Sequence, residues 1–304
     1  MQTAALAARQ IADELLLITT VPTMILAQQG IPNLWLVLAT LVGGALSAGS
    51  ANAFNCYIDA DIDKIMGRTK GRPLVTGELS KTEAFVFAWV IGIGSVLWLG
   101  LLVNWMASML SLIAILFYVF VYTLLLKRRT EQNIVWGGAA GCMPVLIAWS
   151  AVTGGMTMTP VILFLIVFFW TPPHYWPLAM KYKDDYERAG IPMLPVLKTS
   201  EQVTDSILRY SWVMVLVSLA LIPIAPMGPV YDVAAVILGG VFLYEAYRLR
   251  SAARSAAARP DWSDRQGRRR SGCRLCGPRD RSSSPPRTWR FASSRYLTAP
   301  HWPL

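Results

Sequence analysis

Asn52, Asn55, Asp59, Asp61 and Asp63 fall at the end of one apolar run, and Arg68, Lys70 and Arg72 follow at once. On a helix, Asn55, Asp59 and Asp63 stand at i, i+4 and i+8, so they share a face with successive side chains about 6 Å apart along the axis. Two carboxylates and an amide at that spacing suit Mg²⁺, a hard cation that takes oxygen ligands and completes its shell with phosphate oxygens and water. Asp61 is two residues out of phase and is expected to point elsewhere. Arg68, Lys70 and Arg72 complement a metal-bound diphosphate, whose outer oxygens guanidinium groups pair with bidentately. A solvated acidic helix end beside a basic loop would have the same composition. The in-phase placement of Asn and Asp at the end of a membrane helix favours a site.

A second group of candidates runs from His174-Tyr175-Trp176-Pro177 to Lys181-Tyr-Lys183-Asp184-Asp185-Tyr186-Glu187-Arg188, again at the end of an apolar run. Asp185, with Asp184, is a candidate for a second metal position, and Lys181 and Lys183 are candidates for holding phosphate. The competing reading is a solvated charged loop.

The elements that position these residues are written in the charge distribution. The chain has 304 residues, 54% hydrophobic and 15% charged, against roughly a quarter charged in an ordinary soluble domain. No acidic or basic residue occurs in 15–58, 84–126 or 132–180. About 20 apolar residues cross a bilayer once, so each run holds two crossings. Spans are expected at 15–28, 33–55, 84–103, 105–126, 133–153 and 159–180, separated by Gly30 and Pro32, by Asn104, and by Gly154 and Gly155. Two more fit at 210–226 and 230–247. The expected fold is an all-α, polytopic membrane bundle of eight transmembrane helices, with a cytoplasmic N-terminus over 1–14, a membrane domain over 15–248 and a basic, disordered tail over 249–304.

Cytoplasmic loops retain Lys and Arg, whereas short translocated loops lack them. All 15 basic residues of 1–249 fall on one side of the eight-span scheme, which places the acidic motifs and both termini in the cytoplasm and the protein in the inner (plasma) membrane. Those 15 are matched by 15 acidic residues, and the net charge of +10 arises wholly in 250–304. A neutral membrane body with a basic end calls for no nucleic acid partner. A signal peptide is disfavoured, because Asp13 and Glu14 stand where positive charge is wanted. Cys56 and Cys142 read as packing residues. Cys273 and Cys276 have a zinc-like spacing without a second ligand pair. One histidine in the body, His174, excludes a bis-histidine haem site there.

In detail the motifs are Asn52-xx-Asn55-xxx-Asp59-x-Asp61-x-Asp63-xx-Met66-x-Arg68-Thr69-xx-Arg72-Pro73, Tyr118-xxx-Tyr122-Thr123 with Lys127-Arg128, Asn133-xx-Trp136-Gly137-Gly138-xx-Gly141, Trp170-Thr-Pro-Pro-His174, and Asp185-Tyr186-xx-Ala189-Gly190-x-Pro192-Met193-Leu194-Pro195. In this order they resemble the UbiA-type prenyltransferases, and more closely their haem-farnesylating branch, over about residues 15–248. The resemblance implies transfer of the farnesyl group of farnesyl diphosphate to a vinyl group of haem b, with water addition, giving haem O and diphosphate. It implies Mg²⁺ on Asn55, Asp59, Asp63 and Asp185, with Asp59, Asp63, Arg68, Arg72 and Asp185 carrying the chemistry. Asn52, Lys70, Lys181, Lys183, His174, Tyr118 and Tyr122 are its candidates for binding substrate. It also implies a partner in haem A synthase or terminal oxidase assembly. The rings of Tyr118, Tyr122, Trp170, Tyr175 and Trp176 are candidates to stabilise an allylic cation, against a simpler role as interfacial anchors.

The chain departs from that pattern in three places. Lys181 stands where the wider family has an aspartate, the stretch from Arg9 to Asp13 differs from the family's usual entry to the first helix, and a ninth helix gives way to the Arg- and Ser-rich tail. Such a tail is expected either from an out-of-frame reading or as a segment that binds anionic lipid. Two other functions compete: prenylation of a quinone precursor or other aromatic acceptor, and cation-coupled transport. Transporters place ion sites at interrupted helices near the bilayer midplane, whereas these acids lie at one membrane face beside arginines.

Overall fold

Apolar runs in lipid must satisfy their backbone groups internally, so they become helices. The computed structural model describes residues 14–258, apart from Arg68 and Pro226. Among the described residues the long elements are α1 (Glu14–Gln28), α2 (Leu34–Ile58), α5 (Lys81–Leu102), α6 (Trp105–Leu116, continued by a π-helical segment Phe117–Leu126), α7 (Asn133–Thr153), α8 (Met158–Lys181), α11 (Ser200–Ala220) and α12 (Pro229–Ala257). Four short helices, α3 (Ala60–Asp63), α4 (Pro73–Thr76), α9 (Lys183–Arg188) and α10 (Leu194–Leu197), lie in the two connections that carry the acidic motifs. Seven of the long helices are long and apolar enough to cross a membrane, and α1 contributes the shorter apolar stretch Ile18–Gln28. The protein is an integral membrane helix bundle.

The expected spans are present, with boundaries set by caps that apolarity does not reveal. Helix α5 begins at Lys81, where Ser80 and Glu83 form a reciprocal capping box that satisfies two end donors. Helix α11 begins at Ser200, ten residues before the expected span, because Thr199 and Gln202 make a second capping box. Asn104 caps α6 by accepting from Ala107 N and donates from Nδ2 to Ser150 O at 2.8 Å, tying two helix ends together. Helix α12 continues to Ala257, past the expected end of its span, and residues 259–304, with nearly all of the expected tail, lie outside the described residues.

Each long helix packs on its neighbours in sequence, and α1 also packs on α7. Small residues allow the closest approach. A Cβ on Gly92 of α5 would lie 2.5 Å from Ser50 Oγ of α2, and that hydroxyl donates to Ala88 O at 2.8 Å. Such small-residue contacts with polar cross-links replace the hydrophobic drive that lipid does not supply. Beyond the helix ends, Ile62 and Met66 bury against Ala179, Ile191 and Met193. This cluster staples the connection after α2 to the one after α8 and so brings the two acidic motifs together.

Candidate active site

Helix α2 ends at Ile58, and Asp59 turns the chain into α3 with φ −93° and ψ 11°. The i+4 backbone bonds nevertheless continue, from Asp59 N to Asn55 O and from Asp63 N to Asp59 O, each 2.9 Å. The stripe expected from the sequence is therefore kept across a break in the helix. Asn55, Asp59 and Asp63 are all buried, at 4, 0 and 3% exposure, while the Asp61 side chain is 64% exposed, in keeping with its phase.

Buried carboxylates need partners, since an unpaired ion inside a protein costs several kcal/mol. Asp59 receives Lys127 Nζ on Oδ2 and Arg128 Nη2 on Oδ1, the latter at 3.3 Å. Asp63 Oδ2 accepts from Arg72 Nη1 at 2.5 Å. Arg128 also grips Asp61, at 2.8 and 2.9 Å. That hydrogen bond holds the Asp61 carboxyl below its usual range and raises the guanidinium of Arg128. In the sequence Lys127 and Arg128 stand among the motifs of the family resemblance and as positive-inside residues, with nothing to pair them with Asp59.

Lys127 reaches the site through the π-helical segment. Nine residues separate Tyr118 from Lys127, which in an α-helix is two and a half turns and opposite faces. Here Thr123 Oγ1 donates to Tyr118 O at 2.9 Å and Lys127 N to Tyr122 O at 2.8 Å, both five residues back. The wider turn puts Tyr118, Tyr122 and Lys127 on one cavity, and π segments of this kind recur at functional sites. Thr123 in turn accepts from Asn55 Nδ2 at 3.3 Å, and the same nitrogen donates to Asp59 Oδ2 at 2.9 Å. With its nitrogen engaged twice, the carbonyl oxygen is what Asn55 offers to the cavity. The ring of Tyr122 has room because residue 137 is glycine; a Cβ there would stand 2.7 Å from it.

The cavity has a volume of about 170 Å³, and its wall includes Asn52, Asn55, Asp63, Arg72, Tyr118, Tyr122 and Lys127. Tyr186, from the second motif, and Asn133, from the start of α7, complete its polar rim. Of the two in-phase carboxylates only Asp63 lines the cavity; Asp59 does not, and both its oxygens are engaged by Lys127, Arg128 and Asn55. Among the described residues no group of three acidic, histidine or cysteine side chains could hold a metal by itself. The donor set here, Asp63 with the amide oxygens of Asn52 and Asn55, therefore fits a hard divalent cation that takes the rest of its shell from phosphate oxygens and water, with Arg72 and Lys127 matching that anion.

Other candidates lie elsewhere. Asp185 stands across from the first motif, its Oδ2 3.4 Å from where a Cβ on Gly67 would be, and it pairs with Arg188 of its own helix. Lys70, Lys181 and Lys183 are exposed and do not line the cavity. His174 is exposed too, stacked on Trp170 at 4.3 Å with Tyr175 edge-on at 5.1 Å. Trp176 is a core residue at 2% exposure, packed with Val135, Leu194, Val203 and Ile207, so its ring serves neither as an anchor nor at the cavity. Arg68 lies outside the described residues.

Residues 16–262 match the UbiA prenyltransferase family. The chain belongs to that family. Among its relatives, the protoheme IX farnesyltransferase of Clavibacter sepedonicus is 66% identical over 236 residues, 78% of this chain and 77% of that protein. The protein of the same name from Streptomyces coelicolor is 60% identical over 242 residues, 80% of this chain and 77% of its own. Solved UbiA structures share the fold at low identity. A UbiA homologue from Archaeoglobus fulgidus bound to DMAPP and Mg²⁺ superposes with a TM-score of 0.62 at 19% identity, covering 81% of this chain and 87% of that one. A digeranylgeranylglyceryl phosphate synthase structure gives 0.68 at 18% identity, covering 84 and 92%.

Proposed function

We propose that this chain transfers the farnesyl group of farnesyl diphosphate to a vinyl group of haem b, with addition of water, yielding haem O and diphosphate. The observation that carries this reading is the 66% identity to a protoheme IX farnesyltransferase over 236 residues. An aromatic-acceptor prenyltransferase is the second reading, and the two differ in the acceptor alone.

Asn55, Asp59 and Asp63 would hold Mg²⁺, with Asp185 facing them across Gly67. Once bound there, Mg²⁺ would supply Lewis acid stabilisation of the departing diphosphate. Arg72, Lys127 and Arg128 already converge on the carboxylates. They are the groups that would pair with phosphate oxygens, adding preorganised positive charge where negative charge develops. The C–O bond of farnesyl diphosphate breaks, its electron pair leaves with the diphosphate, and the vinyl carbon of haem attacks the allylic cation. Water then adds to the adjacent carbon and loses a proton. The tyrosine rings at 118 and 122, 5.1 Å apart, present faces that favour cationic character.

The basic loops support an inner-membrane protein with this cavity at the cytoplasmic face. A haem A synthase or terminal oxidase assembly factor is the partner expected to receive the product. Purified protein supplied with Mg²⁺, haem b and farnesyl diphosphate should yield farnesylated haem by mass spectrometry. Absence of that product, with prenylation of an aromatic acid or quinone precursor instead, would move the assignment to the second reading.

A further inference from the structure

Asn133 stands apart among the polar groups of the cavity. It is 2% exposed, and its Nδ2 donates to Lys127 O at 3.3 Å. Its Oδ1 is buried with no hydrogen-bond partner. A buried amide oxygen left unpaired keeps its desolvation penalty uncompensated, so each such atom in a folded protein needs an explanation. Among the described residues the other unpaired buried side-chain atoms, on Thr20, Ser111, Trp149 and Trp176, belong to residues that do not line this cavity; Asn133 does, alongside Asn55 and Asp63.

The chemistry of the missing partner follows from the atom. An amide oxygen only accepts, so it does not pair with phosphate oxygens, which also accept. Turning the amide over would set its oxygen against the carbonyl of Lys127. What remains is a cation or a donor such as water, and in a cavity built for a metal-bound diphosphate the waters at hand include those on the cation. Mg²⁺ dehydrates reluctantly and keeps several waters when carboxylates and phosphates hold it. We infer that Asn133 accepts a hydrogen bond from the water shell of the cation bound at Asn55, Asp59 and Asp63, and so positions that cation from the α7 side of the cavity. The inference rests on the function proposed above. It adds a positioning residue on a third helix, outside both acidic motifs.

Two substitutions separate this role from a structural one. Asn133→Leu removes both functions of the amide. Asn133→Asp keeps an acceptor oxygen but cannot donate to Lys127 O. The thermal midpoint of the purified full chain is followed during Mg²⁺ titration at fixed inorganic diphosphate, and the half-saturating Mg²⁺ concentration is read from its rise. Outer-shell partners of metal sites are worth about 10–100-fold in metal affinity. Asn133→Leu should therefore need about tenfold more Mg²⁺, while Asn133→Asp stays within about threefold of the parent. Equal shifts in both variants would assign Asn133 to holding the Lys127 main chain, and no shift in either would remove it from the site; both outcomes overturn the inference. Should the leucine variant not fold, Asn133→Ala carries the same expectation. A parent protein whose midpoint ignores Mg²⁺ and diphosphate would instead overturn the reading of the cavity itself.

Discussion

Asp59 and Asp63 follow one apolar helix, and Asp184 and Asp185 follow another, yet the first pair is sealed and the second open. Asp59 and Asp63 are at 0 and 3% exposure, and their counter-ions come from other segments, the loop at Arg72 and the far end of the π-helical segment. Asp185 retains 18% side-chain exposure and pairs with Arg188 three residues along. The sealed corner is held by tertiary structure, at a desolvation cost that only a function or a specific fold explains. The open corner is what a charged surface turn would also produce. Burial and the origin of the counter-ions, more than the residue types, distinguish the two corners.

The comparison is most sharply tested by neutralising each corner. Asp59→Asn and Asp63→Asn should each lower Mg²⁺-dependent formation of farnesylated haem by at least about 100-fold, the scale of losing a principal electrostatic contact in a transition state. Asp59→Asn should also cost about 3 kcal/mol of stability, because it strands the ammonium of Lys127. Asp185→Asn should cost less than about tenfold in turnover; a loss equal to that of Asp59→Asn would erase the distinction between the corners. Of intermediate size, Gly137→Ala forces a methyl against Tyr122 and should destabilise by about 1–3 kcal/mol in thermal unfolding, as overpacking does, with lower turnover.

The smallest effect is expected at Asp61, beside the sealed corner but facing outward. Its ion pair with Arg128 is exposed, and Asp61→Asn should change stability by less than about 1 kcal/mol. The folded-state value of Asp61 lies below its ordinary 3.8. The contribution is therefore complete above that pH and disappears as pH falls through the lower folded value. Parent and variant stability curves, measured against pH, should converge in acid and separate above the ordinary value.

Much of this arrangement was legible in the sequence, because lipid imposes a simple code. The charge-free runs located the long helices, and the i, i+4, i+8 phase of Asn55, Asp59 and Asp63 survived the break at Asp59. Three features were not legible. Helix α11 starts among Glu201, Asp205 and Arg209, charges that hide its first turns from any apolar count. Lys127 and Arg128 carry the composition of any positive-inside loop, and only the fold places them on Asp59. The π-helical segment leaves no mark in hydropathy, because a wider turn uses the same apolar residues as a regular one. Lys70, Lys181 and Lys183 are the reverse case: close in sequence to an acidic motif, they are exposed and do not line the cavity.

That wide segment makes the length of the Trp105–Leu126 crossing as informative as its content. Removing a single residue from Phe117–Leu126 would leave a stretch that still traverses lipid, yet it would return the backbone to its common winding and swing Lys127 by about 100°. A homologue one residue shorter there would keep every motif letter and lose the arrangement they encode. Alignment gaps in this stretch therefore carry chemical meaning that a substitution score does not capture.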